Sequence, residues 1–149
     1  MSKAKPLQKK KASKAITLPK LLIKAQKVFN AWIRQRDSKE GYFTCISCFR
    51  TLPVDQMNAG HYVPVKGGSA LRFNEYNVNG ECIRCNGFDE FHLIGYRKNL
   101  IKKIGIKKVE QLEKMRNDIH KWDRADLNYI IKTYSLNSKT NGTNHHLPF

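Results

Sequence analysis

The sequence has no acidic residue before Asp37 and no run of about 18 apolar residues anywhere. The second absence excludes a membrane-spanning helix. The opening MSKAKPLQKKKASKA is charged, yet no apolar stretch of signal-peptide length follows it, so export is not expected and the chain is assigned to the cytoplasm. Hydrophobic residues make up 40% of the 149, enough for a modest core, and a chain of this size often gains from a staple. Cysteines are few, four in all, and a cytosolic chain seldom keeps structural disulfides. Those four need another explanation. No internal repeat is visible.

What is abundant is positive charge. The formal net charge is +16, from 28 Lys and Arg against 12 Asp and Glu. Eleven of the basic residues precede Asp37, and the remainder of the chain carries 17 basic and 12 acidic residues, a net of +5. A charge of this size with a pI near 9.9 favours a polyanion partner. With no hydrophobic anchor beside the lysines, nucleic acid is the reading preferred to a membrane surface.

The chain divides into a flexible basic arm at 1–16, a single domain at 17–134 and a polar, Asn-rich disordered tail at 135–149. His145 and His146 in that tail are read as incidental. Residues 17–37 form an amphipathic helix, with Thr17 as N-cap and Pro19 in the first turn. Its apolar stripe is Leu21, Leu22, Ala25, Val28, Phe29, Trp32 and Ile33. A Trp–Phe stripe of this kind is core more often than a base-stacking platform. A short hairpin spans 42–52, and 53–81 is mixed. A helix over 85–104 ends at Gly105, and a second runs over 107–122. Asp123 caps a third, with Asp126 completing a capping box. The class is α+β.

The cysteines read Cys45-x-x-Cys48, then 33 residues, then Cys82-x-x-Cys85. A two-residue gap lets both thiolates of a pair reach one tetrahedral ion at about 2.3 Å. The first pair lies in a hairpin and the second opens a helix, the order of a treble-clef finger. Two redox pairs, a [4Fe–4S] cluster and disulfides are the alternatives; a thioredoxin-like motif would need a βαβ context that is not found. Structural zinc is the preferred reading, and the long insert between the pairs houses something more.

That insert contains Ala59-Gly60-His61-Tyr62 and Asn77, and Asn86 follows Cys85 directly. Taken singly, His61 is polar surface, Asn77 and Asn79 serve a turn, and Asn86 caps a helix. Together, inside a four-cysteine frame, they resemble the HNH, or His-Me finger, nuclease motif. CxxC followed at once by Asn is also similar to the endonuclease VII type of junction resolvase. The resemblance implies a zinc-stapled, treble-clef-like ββα core flanked by helices. It implies His61 as general base, Asn77 as support of its loop, and Asn86 as ligand of a catalytic Mg²⁺ or Mn²⁺. The residue types suit that chemistry: a neutral histidine can take a proton from water near pH 7, and an amide oxygen suits a hard cation. One departure stands out. Many HNH motifs place Asp or His directly before the base, as a second metal ligand, and here Gly60 stands there. Asp55, Glu75, Glu81 and Asp89 are the nearby acids, and Glu75, between the two motif positions, is the favoured replacement.

A longer stretch, from Ala25 to about Leu112, resembles the C-terminal part of phage NinG proteins, also called Rap recombination nucleases. The segments that carry it are KAQKVFNAWIRQRD, CISC, AGHYVPVKGGSALRFNEYNVNGECIRCN and GYRKNLIKKIGIKKVEQLE. The resemblance implies a homodimeric, metal-dependent endonuclease of branched recombination intermediates, D-loops and Holliday junctions, working in a bacterial host's cytoplasm. Family members usually carry a further N-terminal cysteine-rich segment, where this chain has a lysine arm. Lys66, Arg72, Arg84 and Arg97 flank the motif as candidate phosphate contacts. Lys102, Lys103, Lys107 and Lys108 form a denser set at a helix junction. Such contacts give salt-sensitive, sequence-independent affinity. A non-catalytic zinc-containing nucleic-acid-binding protein and an HNH nuclease with a restriction or homing role are the competing readings.

Overall fold

The computed structural model describes residues 15–137, so the greater part of the basic arm and the tail, with His145 and His146, lies outside the described residues. The first helix, α1, spans Leu18–Arg36, with Thr17 extended at its start and proline in its first turn. Thr17 occupies the N-cap position without a side-chain cap bond. The helix buries Leu21, Ala25, Phe29, Trp32 and Ile33, the inward part of the stripe read from the sequence. The partner of that stripe is the C-terminal helix α5, Arg124–Asn137, with the Tyr134 ring 4.7 Å from Phe29 and 5.0 Å from Trp32, both edge-on. Asp123 and Asp126 exchange backbone-to-carboxylate bonds of 3.3 and 2.8 Å, so the capping box forms and fixes where α5 begins.

Two small antiparallel sheets follow α1. Strands β1 (Ser38–Lys39), β2 (Tyr42–Thr44) and β3 (Thr51–Pro53) make the first. Lys39 pairs with Tyr42 across a two-residue turn in which Glu40 and Gly41 both have positive φ, 52° and 81°. Such a turn matches the natural twist of the strands. Strands β4 (Met57–His61) and β5 (Val78–Cys82) make the second, in the register Met57 to Cys82 and His61 to Val78. Every residue of β5 is buried. Val78 joins the α1–α5 core. Tyr96, of helix α3 (His92–Ile104), donates from its hydroxyl to the Gly60 carbonyl at 2.8 Å and accepts from Asn79 at 3.2 Å. The β4–β5 ribbon is therefore held between α1 and α3.

Two helix boundaries differ from the sequence reading. The helix expected over 85–104 is divided into α2 (Ile83–Phe88) and α3. Asp89 Oδ1 accepts from the Phe91 N–H at 3.0 Å between them, a local turn that competes with helix. The helix expected over 107–122 is α4, Ile106–Lys114. Beyond it the chain folds back on the Gly68–Ser69 loop. Ser69 bonds the backbone of His120, Trp122 Nε1 donates to the Ser69 carbonyl at 3.1 Å, and Asp118 O accepts from Ala70 N. A Cβ at residue 68 would meet the Arg116 carbonyl at 2.1 Å, so glycine permits that approach. The molecule is a mixed α+β fold with small sheets. Among the described residues no helix is long and apolar enough to cross a membrane.

Candidate functional site

The β2–β3 hairpin carries the first cysteine pair in its turn. Cys45 N bonds Arg50 O and Phe49 N bonds Cys45 O, both at 2.9 Å, and Phe49 takes a positive φ of 58° in the knuckle so closed. The second pair straddles the β5–α2 junction, where Cys82 is the N-cap of α2 and its sulfur accepts from Cys85 N at 3.5 Å. Cys82 N donates to Cys45 Sγ at 3.3 Å, which ties the two pairs together. All four sulfurs lie within 4.8 Å of one another, and Cys48 Sγ is 4.0 Å from Cys82 Sγ. A tetrahedral zinc–thiolate site has sulfurs about 3.8 Å apart. The cluster can therefore hold a metal ion such as zinc with little adjustment. Burial pushes the Cys45 thiol up to about 11 and the Cys85 thiol higher still. At Cys48, the exposed one, burial also opposes ionisation, but bonds from Arg50 outweigh it and bring the thiol down to about 7. The charge of a cation is what would let all four ionise together.

Beside this frame is a pocket of about 330 Å³, whose lining includes His61, Tyr62, Pro64, Asn86 and His92. His61 ends β4, and its Nε2 lies 2.9 Å from the Arg72 carbonyl. A carbonyl only accepts, so the ring proton sits on Nε2 and Nδ1 keeps a free lone pair. Burial, opposed by the bond to that carbonyl, holds the His61 pKa below the ordinary 6.5. The imidazole is therefore neutral at pH 7 and able to accept a proton. Asn77 is fully buried and clamps the loop that leaves His61. Its Oδ1 accepts from Val63 N at 2.8 Å, and its Nδ2 donates to Val63 O at 2.9 Å and Leu71 O at 3.2 Å. Asn86 is exposed on α2, where Cys82, not Asn86, does the capping.

Gly60 has a steric reason. A Cβ there would sit 2.2 Å from Glu81 Oε2, so the buried carboxylate of Glu81 occupies the space a residue-60 side chain would need. Glu81 Oε1 accepts from Ser47 Oγ and from His92 Nδ1, the latter at 2.6 Å, while Oε2 has no hydrogen-bond partner among the described residues. Glu75, the favoured acid from the sequence, is engaged elsewhere: its carboxylate accepts from Tyr134 at 3.0 Å. Asp55 is exposed in a 3-10 turn, and Asp89 is used in its own turn. His92 was invisible to sequence reasoning. It follows no motif spacing, and only the packing of α3 brings it to Glu81.

The candidate phosphate contacts divide. Lys66, Arg84 and Lys107 are exposed. Arg97 pairs with Glu113 at 2.7 Å, and Lys103 bonds Asp37 at 2.9 Å and Asn79 at 2.8 Å. Lys108 lies 4.3 Å over the Tyr76 ring and Lys102 lies 5.7 Å over Phe49. Arg72 donates to Gln26 at 3.1 Å, and burial lowers its pKa. Arg72, Arg97 and Lys103 thus have partners within the fold.

A family model described as Bacteriophage Lambda NinG protein matches residues 1–143. The chain is 37% identical over 115 residues to Protein ninG of Escherichia phage lambda, which is 77% of this chain and 54% of that protein. To Protein ninG of Salmonella phage P22 it is 36% identical over 115 residues, 77% of this chain and 54% of the relative. To that of Enterobacteria phage H19B it is 39% identical over 98 residues, 66% and 46% of the two chains. The chain thus spans about half the length of the curated relatives it matches. No solved structure matches.

Proposed function

This chain belongs to the NinG family of phage proteins, and from that premise we propose that it is a metal-dependent, structure-selective endonuclease of branched DNA. The observation that carries the reading is His61: neutral at pH 7, with the lone pair on Nδ1, and lining one pocket with Asn86 directly beside a metal-competent cysteine frame. Strands β4 and β5 with α2 serve as a His-Me finger ββα unit, stapled by structural zinc at Cys45, Cys48, Cys82 and Cys85.

His61 Nδ1 takes the proton of the attacking water while Nε2–H stays anchored on the Arg72 carbonyl. Burial disfavours the imidazolium so formed, which favours passing the proton on to solvent. Asn77 keeps the His61 loop in register by holding the backbone of Val63 and Leu71. Asn86 offers an amide oxygen to Mg²⁺ or Mn²⁺, which when bound supplies positive charge against the phosphate and its leaving oxygen. Exposed Lys66, Arg84, Lys107 and the Lys-rich arm hold the DNA backbone without reading sequence. Symmetric resolution of a four-way junction needs two nicks, so the working unit is a homodimer, acting in the host cytoplasm.

A gel comparison of four-way, D-loop, flayed and linear DNA tests the reading. Divalent-ion-dependent nicking of the branched substrates is expected, with linear duplex spared. Cutting at one defined sequence or broadly along linear duplex indicates a restriction or homing role. Binding without nicking makes the chain a non-catalytic zinc-containing DNA binder.

A further inference from the structure

We propose that His92 is a protein ligand of the pocket's divalent ion through Nε2, oriented by Glu81, and that this pair replaces the ligand missing at Gly60. The proposal rests on the nuclease reading for the identity of the pocket. Its observations are separate. His92 lines the same pocket as His61 and Asn86. Its Nδ1 is fixed 2.6 Å from Glu81 Oε1, and a carboxylate accepts, so Nδ1 carries a proton and Nε2 is the ring nitrogen left to take an ion. A carboxylate behind the far nitrogen is the usual support of a metal-bound histidine, since it sets both tautomer and ring orientation.

Glu81 is built for that role rather than for stability. It is fully buried, and among the described residues Oε2 has no hydrogen-bond partner where it lies against Gly60. A buried carboxylate with one orphaned oxygen is costly unless positive charge lies near. An ion on His92 would supply that charge through the imidazole. Ser47, between Cys45 and Cys48, is the second donor to Glu81 Oε1. The zinc knuckle and the pocket are thereby linked through one side chain. The donor set also carries a consequence for the metal. An imidazole nitrogen beside an amide oxygen favours Mn²⁺ over Mg²⁺, which takes oxygen ligands almost exclusively.

The test uses the full, zinc-loaded chain without DNA, titrated with Mn²⁺ and followed by electron paramagnetic resonance. Pulsed measurements report directly bound imidazole nitrogen. Wild type is expected to bind one Mn²⁺ in the pocket with nitrogen coupling. In His92→Gln the coupling is expected to vanish and affinity to fall about 10- to 100-fold. Glu81→Gln is expected to weaken binding about 10-fold and keep the coupling, which covers the case in which His92→Gln fails to fold. His61→Ala is expected to bind Mn²⁺ as wild type does. Coupling that survives in His92→Gln, unchanged affinity in both Glu81→Gln and folded His92→Gln, or no Mn²⁺ binding by wild type overturns the inference. If coupling depends on His92 but no DNA is nicked, the ligand assignment stands and the nuclease reading falls. If junctions are nicked and His92→Gln binds Mn²⁺ normally, the reverse holds.

Discussion

At Gly60 the absence of a side chain is a packing requirement. Glu81 Oε2 lies where a Cβ would be, and so nearly does the Glu81 Cβ, 2.8 Å away. Gly60→Ala is expected to lower stability by about 1–3 kcal/mol, the range for overpacking a filled interior. The loss should shrink in a Glu81→Ala background, because the two groups compete for one space. Thermal denaturation of the two single variants and the double variant checks this. His61 yields a second prediction. Its pKa is held below 6.5, so the base form predominates from about pH 6.5 upward. Nicking should be level through neutral pH and fall as acid protonates Nδ1. The sign for stability is the same: the unfolded chain takes up the proton more readily, so folding weakens as pH drops below 6.5. A single-turnover pH–rate profile is the measurement, and a rise in rate on acidification would contradict the assignment of His61 as base.

Among the elements, α1 and α5 are interdependent. Tyr134 is fully buried and packs edge-on against both Phe29 and Trp32. Tyr134→Ala is expected to cost about 3–5 kcal/mol, as for other large buried aromatics. Tyr134→Phe should cost about 1 kcal/mol, the net worth of the bond to Glu75. Urea titration distinguishes the two. The same elements show what the sequence could convey. The stripe of α1, the first hairpin, the two cysteine knuckles and the capping box at Asp123 were legible because each is written in a window of a few residues. The break between α2 and α3, the early end of α4 and the engagement of Glu75 by Tyr134 were not. The last two are decided by contacts the window does not contain, such as Ser69 with His120 and Trp122. The first turns on a local bond between Asp89 and Phe91 that the helical pattern on either side conceals. The Glu81–His92 pair belongs to this second group, since it joins a strand and a helix at no motif spacing.

For the whole molecule, two features set behaviour: the staple and the charge. Among the described residues the core is divided into three clusters, and the one around the cysteines contains only Phe43 and Met57 as large buried apolar neighbours. Such a module has little to hold it beyond the ion its cysteines can take, so on the structural-zinc reading a strong chelator should unfold it, seen as lost circular dichroism and restored by zinc. On the proposed nuclease reading, the positive charge sets DNA affinity rather than fold. Residues 1–16 carry six lysines. Their removal should weaken binding and reduce the slope of log affinity against log salt by up to about 5. Chemistry on bound DNA should be unchanged, because His61, Asn77 and Asn86, to which the proposal gives the chemistry, lie outside that segment.

The most direct test of the central claim is single-turnover nicking of a four-way junction by zinc-loaded wild type and His61→Ala, at saturating protein and with Mn²⁺ present. The expected result is nicking by wild type, and junction binding without nicking by His61→Ala, with cleavage reduced at least about 100-fold, the lower range for a general base. Wild type that binds the junction and leaves it intact, or His61→Ala that cuts at the wild-type rate, would contradict the account.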